Sequence, residues 1–208
     1  MNPHKPYHHG NLRADLLQAA VRLIAEVGPT AFTLREVARR AGVSHNAPYR
    51  HFQDRDDLLG AVAGEGFRQL NEAMVTAAAQ ESRSQDRLKV AGTAYVAFAL
   101  RRPEHFAVMF DAPAPNGEDH GHQEAGKQAF DTLLSLVRAC QDEGSLPEGS
   151  SADFALLAWT MVHGIAKLAT TGRLPYRSNA EILKFARFVI DQSLPRPSQG
   201  GQGDRTPR

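Results

Sequence analysis

The segment from Thr33 to Phe52 constrains the fold of this chain more than any other stretch of its sequence. Thr33 and Glu36 have the Thr-x-x-Glu spacing of a capping box, which fixes the start of a short helix. Gly42 follows that helix and can adopt the left-handed conformation that ends it. Ser44 is a favourable N-cap for a second helix. Two short helices around a glycine turn are typical of a helix-turn-helix, whose second helix enters the major groove of DNA.

The predicted second helix carries side chains that can read DNA bases: His45, Asn46, Ala47 and Arg50. Asn46 can pair bidentately with adenine and Arg50 with guanine, each worth about 1–3 kcal/mol of discrimination. Ala47 can only contact a thymine methyl group, and Arg50 can also clamp a phosphate. Phe52 is predicted to lie in the core of the head.

This segment also resembles a known family. Gly42-Val-Ser-x-x-x-x-Tyr-x-His-Phe52, followed by Asp54-Arg-Asp-Asp-Leu-Leu59, is similar to the DNA-binding domain of the TetR family of bacterial regulators. The resemblance covers residues 10–60, about a quarter of the chain. Trp159-Thr-Met-Val-His-Gly164 and the opening Tyr7-His-His-Gly-Asn-Leu-Arg13 resemble one subgroup of that family, which has a Trp…His-Gly signature in its C-terminal ligand domain.

The resemblance implies partners and contacts that the residues alone do not establish. It implies a homodimer that packs its last two helices, about residues 151–193, as a four-helix bundle and reads a palindromic DNA operator. The residues that it assigns to phosphate contacts are Arg13, Thr33, Tyr49, His51 and Arg55.

Pro48 departs from the commoner pattern of the family, which has an aliphatic residue at this place. Counted from Ser44 as the N-cap, Pro48 is the fourth helical residue, where a backbone N–H would bond to the Ser44 carbonyl. Because proline has no N–H, we expect the second helix to begin distorted or one residue later.

The rest of the sequence has helical periodicity between its proline, glycine and polar breaks. Residues 11–27 carry an apolar stripe, and Asp54 is a favourable N-cap for a long helix that ends near residue 80. Further helices are predicted for 87–101, 103–110, 122–142, 151–170 and 179–193. No stretch of any length alternates as a strand would. The predicted fold is therefore all-α, with a three-helix head joined to a larger helical body.

The domain limits follow from these patterns and from the resemblance. We place a DNA-binding domain with an N-terminal arm at residues 1–54, a ligand-binding and dimerisation domain at 55–194, and a disordered tail at 195–208. No flexible linker is predicted near residue 55, because the apolar pattern of the long helix continues through it.

Charge is distributed unevenly along the chain. The 208 residues are 42% hydrophobic and 23% charged, which is ordinary for a soluble globular protein, and the formal net charge is only +1. Residues 1–52, however, hold seven Lys or Arg against three Asp or Glu, a formal charge of +4, which leaves −3 for the remainder. A basic head on a slightly acidic body is typical of a DNA reader joined to a sensor, although scattered surface charge is an open alternative.

Several features of the sequence indicate where the protein works. Cys140 is the single cysteine, so an internal disulfide is excluded. No apolar run approaches the roughly 20 residues that span a bilayer. The first residues lack the apolar core of a secretory signal. We expect a soluble, cytoplasmic protein.

The body is rich in apolar and aromatic side chains that can line a ligand cavity. For any one of them, ordinary core packing is the alternative, but the resemblance implies a cavity between helices, mostly apolar with few polar anchors. Trp159 and His163 are four residues apart and share a helix face. The predicted pocket residues are Phe98, Phe106, Met109, Phe110, Phe130, Trp159 and His163.

No arrangement of residues indicates catalysis or a metal site. His120 and His122 lie beside Glu118 and Asp119 in a polar loop, without a further ligand cluster. Cys140 lies late in a helical stripe and is predicted to be buried and inert. No Ser/His/Asp order, glycine-rich phosphate loop or carboxylate pair stands out. The sequence predicts no enzyme, no metal and no cofactor.

Together these features predict a dimeric one-component transcriptional regulator, a repressor, that binds double-stranded operator DNA. A small, largely apolar effector would release it, with the helix at residues 54–80 as the coupler. The alternative is a DNA-binding adaptor whose helical body binds a protein partner and has no small-molecule pocket.

Overall fold

The computed structural model describes residues 12–111 and 120–194, and every regular element in these two ranges is helical. The all-α prediction is confirmed. The predicted N-terminal arm, Glu118 and Asp119, and the predicted tail lie outside the described residues. The elements are α1 (Leu12–Val27), α2 (Leu34–Ala41), a 3₁₀ turn (Pro48–Arg50), α3 (Arg55–Ala78), α4 (Ser84–Arg101), α5 (Pro103–Asp111), α6 (His120–Asp142), α7 (Ser151–Thr170) and α8 (Asn179–Ser193).

Most helix limits lie within two residues of the predicted ones, but α4 begins three residues earlier than predicted. Its first residue, Ser84, donates its backbone N–H to Glu143 Oε2 over 3.1 Å and its hydroxyl to Glu143 Oε1 over 2.6 Å. A carboxylate at the first turn satisfies donors that have no partner inside a helix. Since Glu143 is remote in sequence, the local pattern did not reveal this start.

The chain divides into two compact units. Unit 1 comprises Met1–Leu70 and Arg101–Ala129, and unit 2 comprises Asn71–Leu100 and Phe130–Arg208. The helix-turn-helix therefore shares a unit with α5 and the first part of α6. The division into a DNA-binding domain at residues 1–54 and a ligand-binding and dimerisation domain at 55–194 concerns function rather than compactness, and it stays a prediction.

Unit 1 is built around the apolar face of α1. Its core includes six residues of α1, together with side chains from α2, α3 and the segments between them. Phe52 is 2% exposed and lies in this core, as predicted. α5 packs against α1, and its Val108, 4% exposed, belongs to the same core. The helix-turn-helix segment thus rests on one continuous apolar cluster.

The first helix of the helix-turn-helix has the caps that its sequence predicts. Thr33 Oγ1 accepts from the Glu36 N–H over 3.3 Å, and the Thr33 N–H donates to Glu36 Oε2 over 2.8 Å, which completes the capping box. Gly42 ends the helix with φ of 72°, and the Val43 N–H reaches back to the Ala38 carbonyl over 3.0 Å. Sequence alone therefore predicts both ends of α2.

In unit 2, α4 comes close to both C-terminal helices at Gly92. A Cβ atom added there would lie 3.2 Å from Ile190 Cδ1 and 3.3 Å from Val162 Cγ1. These distances are tighter than ordinary contacts, so a larger residue would force the ends of those two side chains to move by a few tenths of an ångström. α4 is thus closely packed against α7 and α8 at this glycine.

We expect Gly42→Ala to lower the free energy of unfolding by about 1–2 kcal/mol, because a residue with a Cβ is strained in the left-handed region. Apart from its chain neighbours, no residue in the described ranges has an atom within 4 Å of the added Cβ, so the cost is conformational. Urea unfolding followed by circular dichroism measures it. Gly42→Asn is the control and should lose less, since asparagine tolerates this region better. Equal losses would contradict the explanation.

Candidate DNA-binding and effector sites

The expected second helix of the helix-turn-helix is replaced by a tight turn. The prediction of a helix that begins after Ser44 is wrong: the only regular element between α2 and α3 is the 3₁₀ turn at Pro48–Arg50. The Ala47 N–H bonds to the Ser44 carbonyl over 2.9 Å, and the Pro48 carbonyl accepts from both His51 and Phe52 N–H groups over 2.9 Å. Pro48 has no N–H to continue the ladder, which explains the break. We call residues 44–51 the recognition turn.

The recognition turn points some of the predicted base readers outwards and one inwards. His45, Asn46 and Arg50 are exposed, so they are free to meet base edges. Ala47 is only 8% exposed, and Pro48 beside it is fully buried. The burial of Ala47 removes the basis for a contact between its methyl group and thymine, and we interpret it as a packing residue.

Three of the predicted phosphate contacts line one open groove on unit 1. Thr33, Tyr49 and Arg55 lie around it, together with Gln53 and Asp54. Tyr49 is 53% exposed although it is aromatic. Asp54 Oδ1 accepts from the Asp57 N–H over 2.8 Å, which confirms Asp54 as the N-cap of α3. The cap orients the groove wall that carries Arg55.

Arg55 is held by its own chain. Its Nη1 donates to the Thr30 carbonyl over 2.9 Å, and its Nη2 pairs with Asp56 Oδ1 over 3.1 Å. A guanidinium group has further N–H donors, so these bonds orient the side chain and still leave donors for a phosphate.

Arg13 and His51, the other predicted phosphate contacts, flank the ring of Phe52. The Arg13 guanidinium carbon lies 5.3 Å from the Phe52 ring centroid, within the range of a cation–π contact. The His51 ring centroid lies 6.4 Å from that of Phe52. Both side chains are exposed, whereas Phe52 is buried. The buried Phe52 ring thus supports the side chains of Arg13 and His51 at the surface.

One basic residue of the head is paired within the protein. Arg40 of α2 donates to Glu26 of α1 over 2.6 Å and forms an ion pair with it. The hydrogen bond from Arg40 lowers the pKa of Glu26 below its ordinary value. Because Glu26 offsets its charge, Arg40 adds less to the positive field of the head than the count of basic residues suggests.

Unit 2 contains a short hydrogen-bonded chain among aromatic side chains. The Trp159 indole N–H donates to the Tyr95 hydroxyl oxygen over 3.2 Å, and that hydroxyl lies 2.9 Å from His163 Nδ1. A hydroxyl that accepts from tryptophan can donate its own hydrogen to Nδ1, which favours the histidine tautomer protonated at Nε2. Burial raises the pKa of Tyr95, so the hydroxyl stays neutral. Sequence analysis assigned Trp159 and His163 to a pocket but missed Tyr95.

The seven predicted pocket residues are divided between the two units. In unit 2, Phe130 packs edge-on against Trp159, with ring centroids 6.1 Å apart, and Phe98 is a core residue at 3% exposure. In unit 1, Phe106 and Phe110 have ring centroids 5.0 Å apart, and Met109 packs against the core.

The described part of the chain contains no group of three or more His, Cys, Asp or Glu residues that could hold a metal ion. Cys140 is buried, as predicted, and burial raises the pKa of its thiol. None of the helices in the described ranges is long and apolar enough to cross a membrane.

We expect Tyr95→Phe to lower the free energy of unfolding by about 1–2 kcal/mol, because Trp159 and His163 both lose a partly buried hydrogen bond. Trp159 is the single tryptophan, so its fluorescence reports the change directly during urea unfolding. Tyr176→Phe is the control, since Tyr176 is exposed. A Tyr95→Phe protein as stable as the control would contradict the hydrogen-bonded chain.

Comparisons with known proteins agree with this architecture. An HTH-type transcriptional repressor from Mycobacterium tuberculosis is 44% identical over 57 residues, which is 27% of this chain and 30% of that protein. A protein of unknown function from Rhodococcus sp. RHA1 has a solved structure with a TM-score of 0.77 and 36% identity over 92% of this chain and 99% of its own. The transcriptional regulator FadR from Bacillus subtilis, solved in complex with stearoyl-CoA, has a TM-score of 0.73 at 17% identity, over 86% of this chain and 96% of its own. At that identity the likeness shows the fold alone.

Two family models match the chain in order. The model for bacterial regulatory proteins of the tetR family matches residues 16–62. The model for a tetracyclin repressor-like C-terminal domain matches residues 88–192, half of the chain. The narrower subgroup suggested by Trp159 and His163 stays a prediction. The two matches, on a fold of this kind, show that the chain belongs to the TetR family.

Proposed function

We propose that this protein is a dimeric transcriptional repressor that binds a palindromic operator through the recognition turn of each copy. The observation that carries the proposal is the groove lined by Thr33, Tyr49 and Arg55 beside the exposed side chains of the turn. Phosphate contacts fix the position of a protein on DNA, and base contacts supply sequence choice. A site that offers both next to each other is suited to operator recognition.

The roles within the site follow from exposure and chemistry. We assign base contacts to His45, Asn46 and Arg50. We assign phosphate contacts to Arg13, Thr33, Tyr49, His51 and Arg55. Thr33 Oγ1 also takes part in the capping box, so we assign its contribution to the start of α2 as a whole, where the positive end of the helix dipole favours a phosphate.

We expect Arg50→Ala to weaken specific DNA binding by about 1–3 kcal/mol, because a bidentate contact to guanine is lost. Fluorescence anisotropy on the intergenic DNA beside the gene, with nonspecific competitor, measures the affinity. Affinity of the parent protein should fall steeply with salt concentration, since phosphate contacts release counterions.

The matched control for this experiment is Arg138→Ala, an exposed arginine of α6 outside the head. It removes the same charge from the whole protein and should leave binding nearly unchanged. Binding that does not depend on salt, or an Arg50→Ala protein that equals Arg138→Ala, would overturn the assignment of the site.

Dimerisation through α7 and α8 is supported by the apolar side chains that these helices expose. Leu157 is 64% exposed and Phe188 is 60% exposed. Leu157, Gly164 and Leu168 lie on one face of α7, seven and then four residues apart. Apart from the backbone of its own helix and its chain neighbours, no described residue has an atom within 4 Å of a Cβ added at Gly164, which leaves room there for a second copy. Ala155, Ala166 and Ala186 are fully buried within the single chain, so they take no part in the proposed contact.

We expect Leu157→Glu to raise the dimer dissociation constant by roughly 30-fold or more, which corresponds to about 2 kcal/mol for a central apolar contact. Sedimentation equilibrium measures the constant. Val75→Glu is the control, because Val75 is 48% exposed on α3 and outside the proposed interface. A Leu157→Glu protein that remains dimeric would exclude this face.

The effector part of the proposal depends on unit 2. Tyr95, Trp159 and His163 place a few polar groups among aromatic rings, as ligand sites commonly do. A small apolar cavity of about 30 Å³ adjoins Tyr95, between Gly92 and Val162. This volume holds about one methyl group, so an effector must displace side chains to enter. We infer a small, largely apolar effector that stabilises an arrangement with lower affinity for DNA.

The fluorescence of Trp159 tests the effector site independently of the operator sequence. Small apolar compounds that enter beside Tyr95 should change its emission and raise the melting temperature of the protein.

A further inference from the structure

His105 of α5 is a buried side chain without a hydrogen-bond partner. It is 4% exposed, and neither Nδ1 nor Nε2 bonds to any described residue. Buried polar atoms nearly always have a partner, and leaving one without it costs about 1–3 kcal/mol. A change in the charge of His105 would therefore have a large effect on the stability of the packing around it.

His105 lies where α5 packs closely against α3. A Cβ added at Gly66 would lie 3.3 Å from His105 Cβ and 2.5 Å from Met109 Sδ, so the two helices are in close contact there. On the same short helix, Val108 enters the core that holds α1 and Phe52. A shift of α5 away from α3 would thus disturb the core on which the DNA-reading head rests.

The charged groups that act on His105 come from α3, from its own helix and from the residue that precedes that helix. Burial is the main cause that lowers its pKa, and Arg102 lowers it further, whereas Glu65 of α3 and Glu104 raise it. The imidazole is therefore neutral at neutral pH while α5 is packed. Protonation in place would bury a positive charge that Glu65 and Glu104 offset only in part, which is costly.

We propose that His105 makes the packing of α5 on α3 proton-sensitive, so that acidification loosens this contact within unit 1 and weakens operator binding. The effect on DNA rests on the proposed function, but the effect on packing does not. When α5 moves away, the imidazole meets water and binds a proton more readily. Protons therefore favour the loosened arrangement.

The sign and the size of the effect follow from proton linkage. A histidine whose pKa is lowered by folding stabilises the packed state fully above its ordinary value, near 6.5. That stability is lost as the pH falls below 6.5 towards the lowered pKa. In this window one proton is taken up on opening, so the equilibrium shifts by up to about tenfold per pH unit.

The first measurement follows the histidine rings and backbone amides of the full-length protein by NMR between pH 8 and pH 5. We expect His105 to titrate with a midpoint below 6.5, and the amide signals of Gly66 and Val108 to shift with the same midpoint. These shifts should be absent in His105→Leu. A midpoint at or above 6.5, or shifts that persist in His105→Leu, would overturn the proposal.

The second measurement compares DNA affinity at constant ionic strength. The parent protein and His105→Leu should bind alike at pH 8, and below pH 6.5 the parent should weaken more, by up to about tenfold per pH unit. Equal pH dependence in the two proteins would contradict the link to DNA binding. If neither protein binds DNA at pH 8, the proposed function fails, while the NMR titration still decides the question of packing.

His122→Gln is the matched control. Its Nδ1 is also buried without a partner, and its backbone adjoins Gly64 of α3 in the same unit. A pH response that disappears in His122→Gln and persists in His105→Leu would show that His122 causes the effect. That result would overturn the proposal. His105→Gln is the second variant, because it keeps a polar side chain if leucine prevents folding.

Discussion

The burial of Phe52 is the interaction on which the DNA-reading head depends. Its ring is 2% exposed in the core of unit 1, and its backbone N–H bonds to the Pro48 carbonyl over 2.9 Å. Burying a phenylalanine side chain contributes about 1.5–3 kcal/mol, more than one hydrogen bond of a short turn. The recognition turn is thus held by an apolar anchor, and Arg13 lies over the same ring.

That anchor explains how a segment with few regular hydrogen bonds can present a defined surface. A 3₁₀ turn has poorer hydrogen-bond geometry than an α-helix and is seldom long. Here Ala47, Pro48 and Phe52 are buried in the core. Because these three residues fix the orientation of the turn, Tyr49 and Arg50 face outwards. The pattern of buried and exposed residues, rather than a helical ladder, sets which side chains the turn presents at the surface.

Local sequence signals predicted most of the architecture, and non-local ones account for what was missed. The Thr33/Glu36 capping box needs only spacing, and so did the ends of most helices. The form of the recognition turn was only partly predictable. Pro48 shows which backbone hydrogen bond of a helix is missing, but it does not predict the conformation that replaces the helix. In the sequence, nothing distinguishes Tyr95 and His105 from other polar residues within an apolar helical stripe. Their roles depend on neighbours from other helices, which periodicity does not encode.

Tyr95 and His105 also show how differently a buried polar group can act. The Tyr95 hydroxyl joins Trp159 and His163 and is neutral over the physiological pH range, because burial raises its pKa. A satisfied group of this kind favours one arrangement of unit 2. His105 has no such bonds to the described residues, and burial lowers a pKa that starts close to physiological pH. Replacing the tyrosine should therefore lower stability through the loss of its hydrogen bonds, whereas replacing His105 should change how stability varies between pH 8 and pH 5.5. The two substitutions, compared at these two pH values, separate a group that holds a core together from one that makes it responsive.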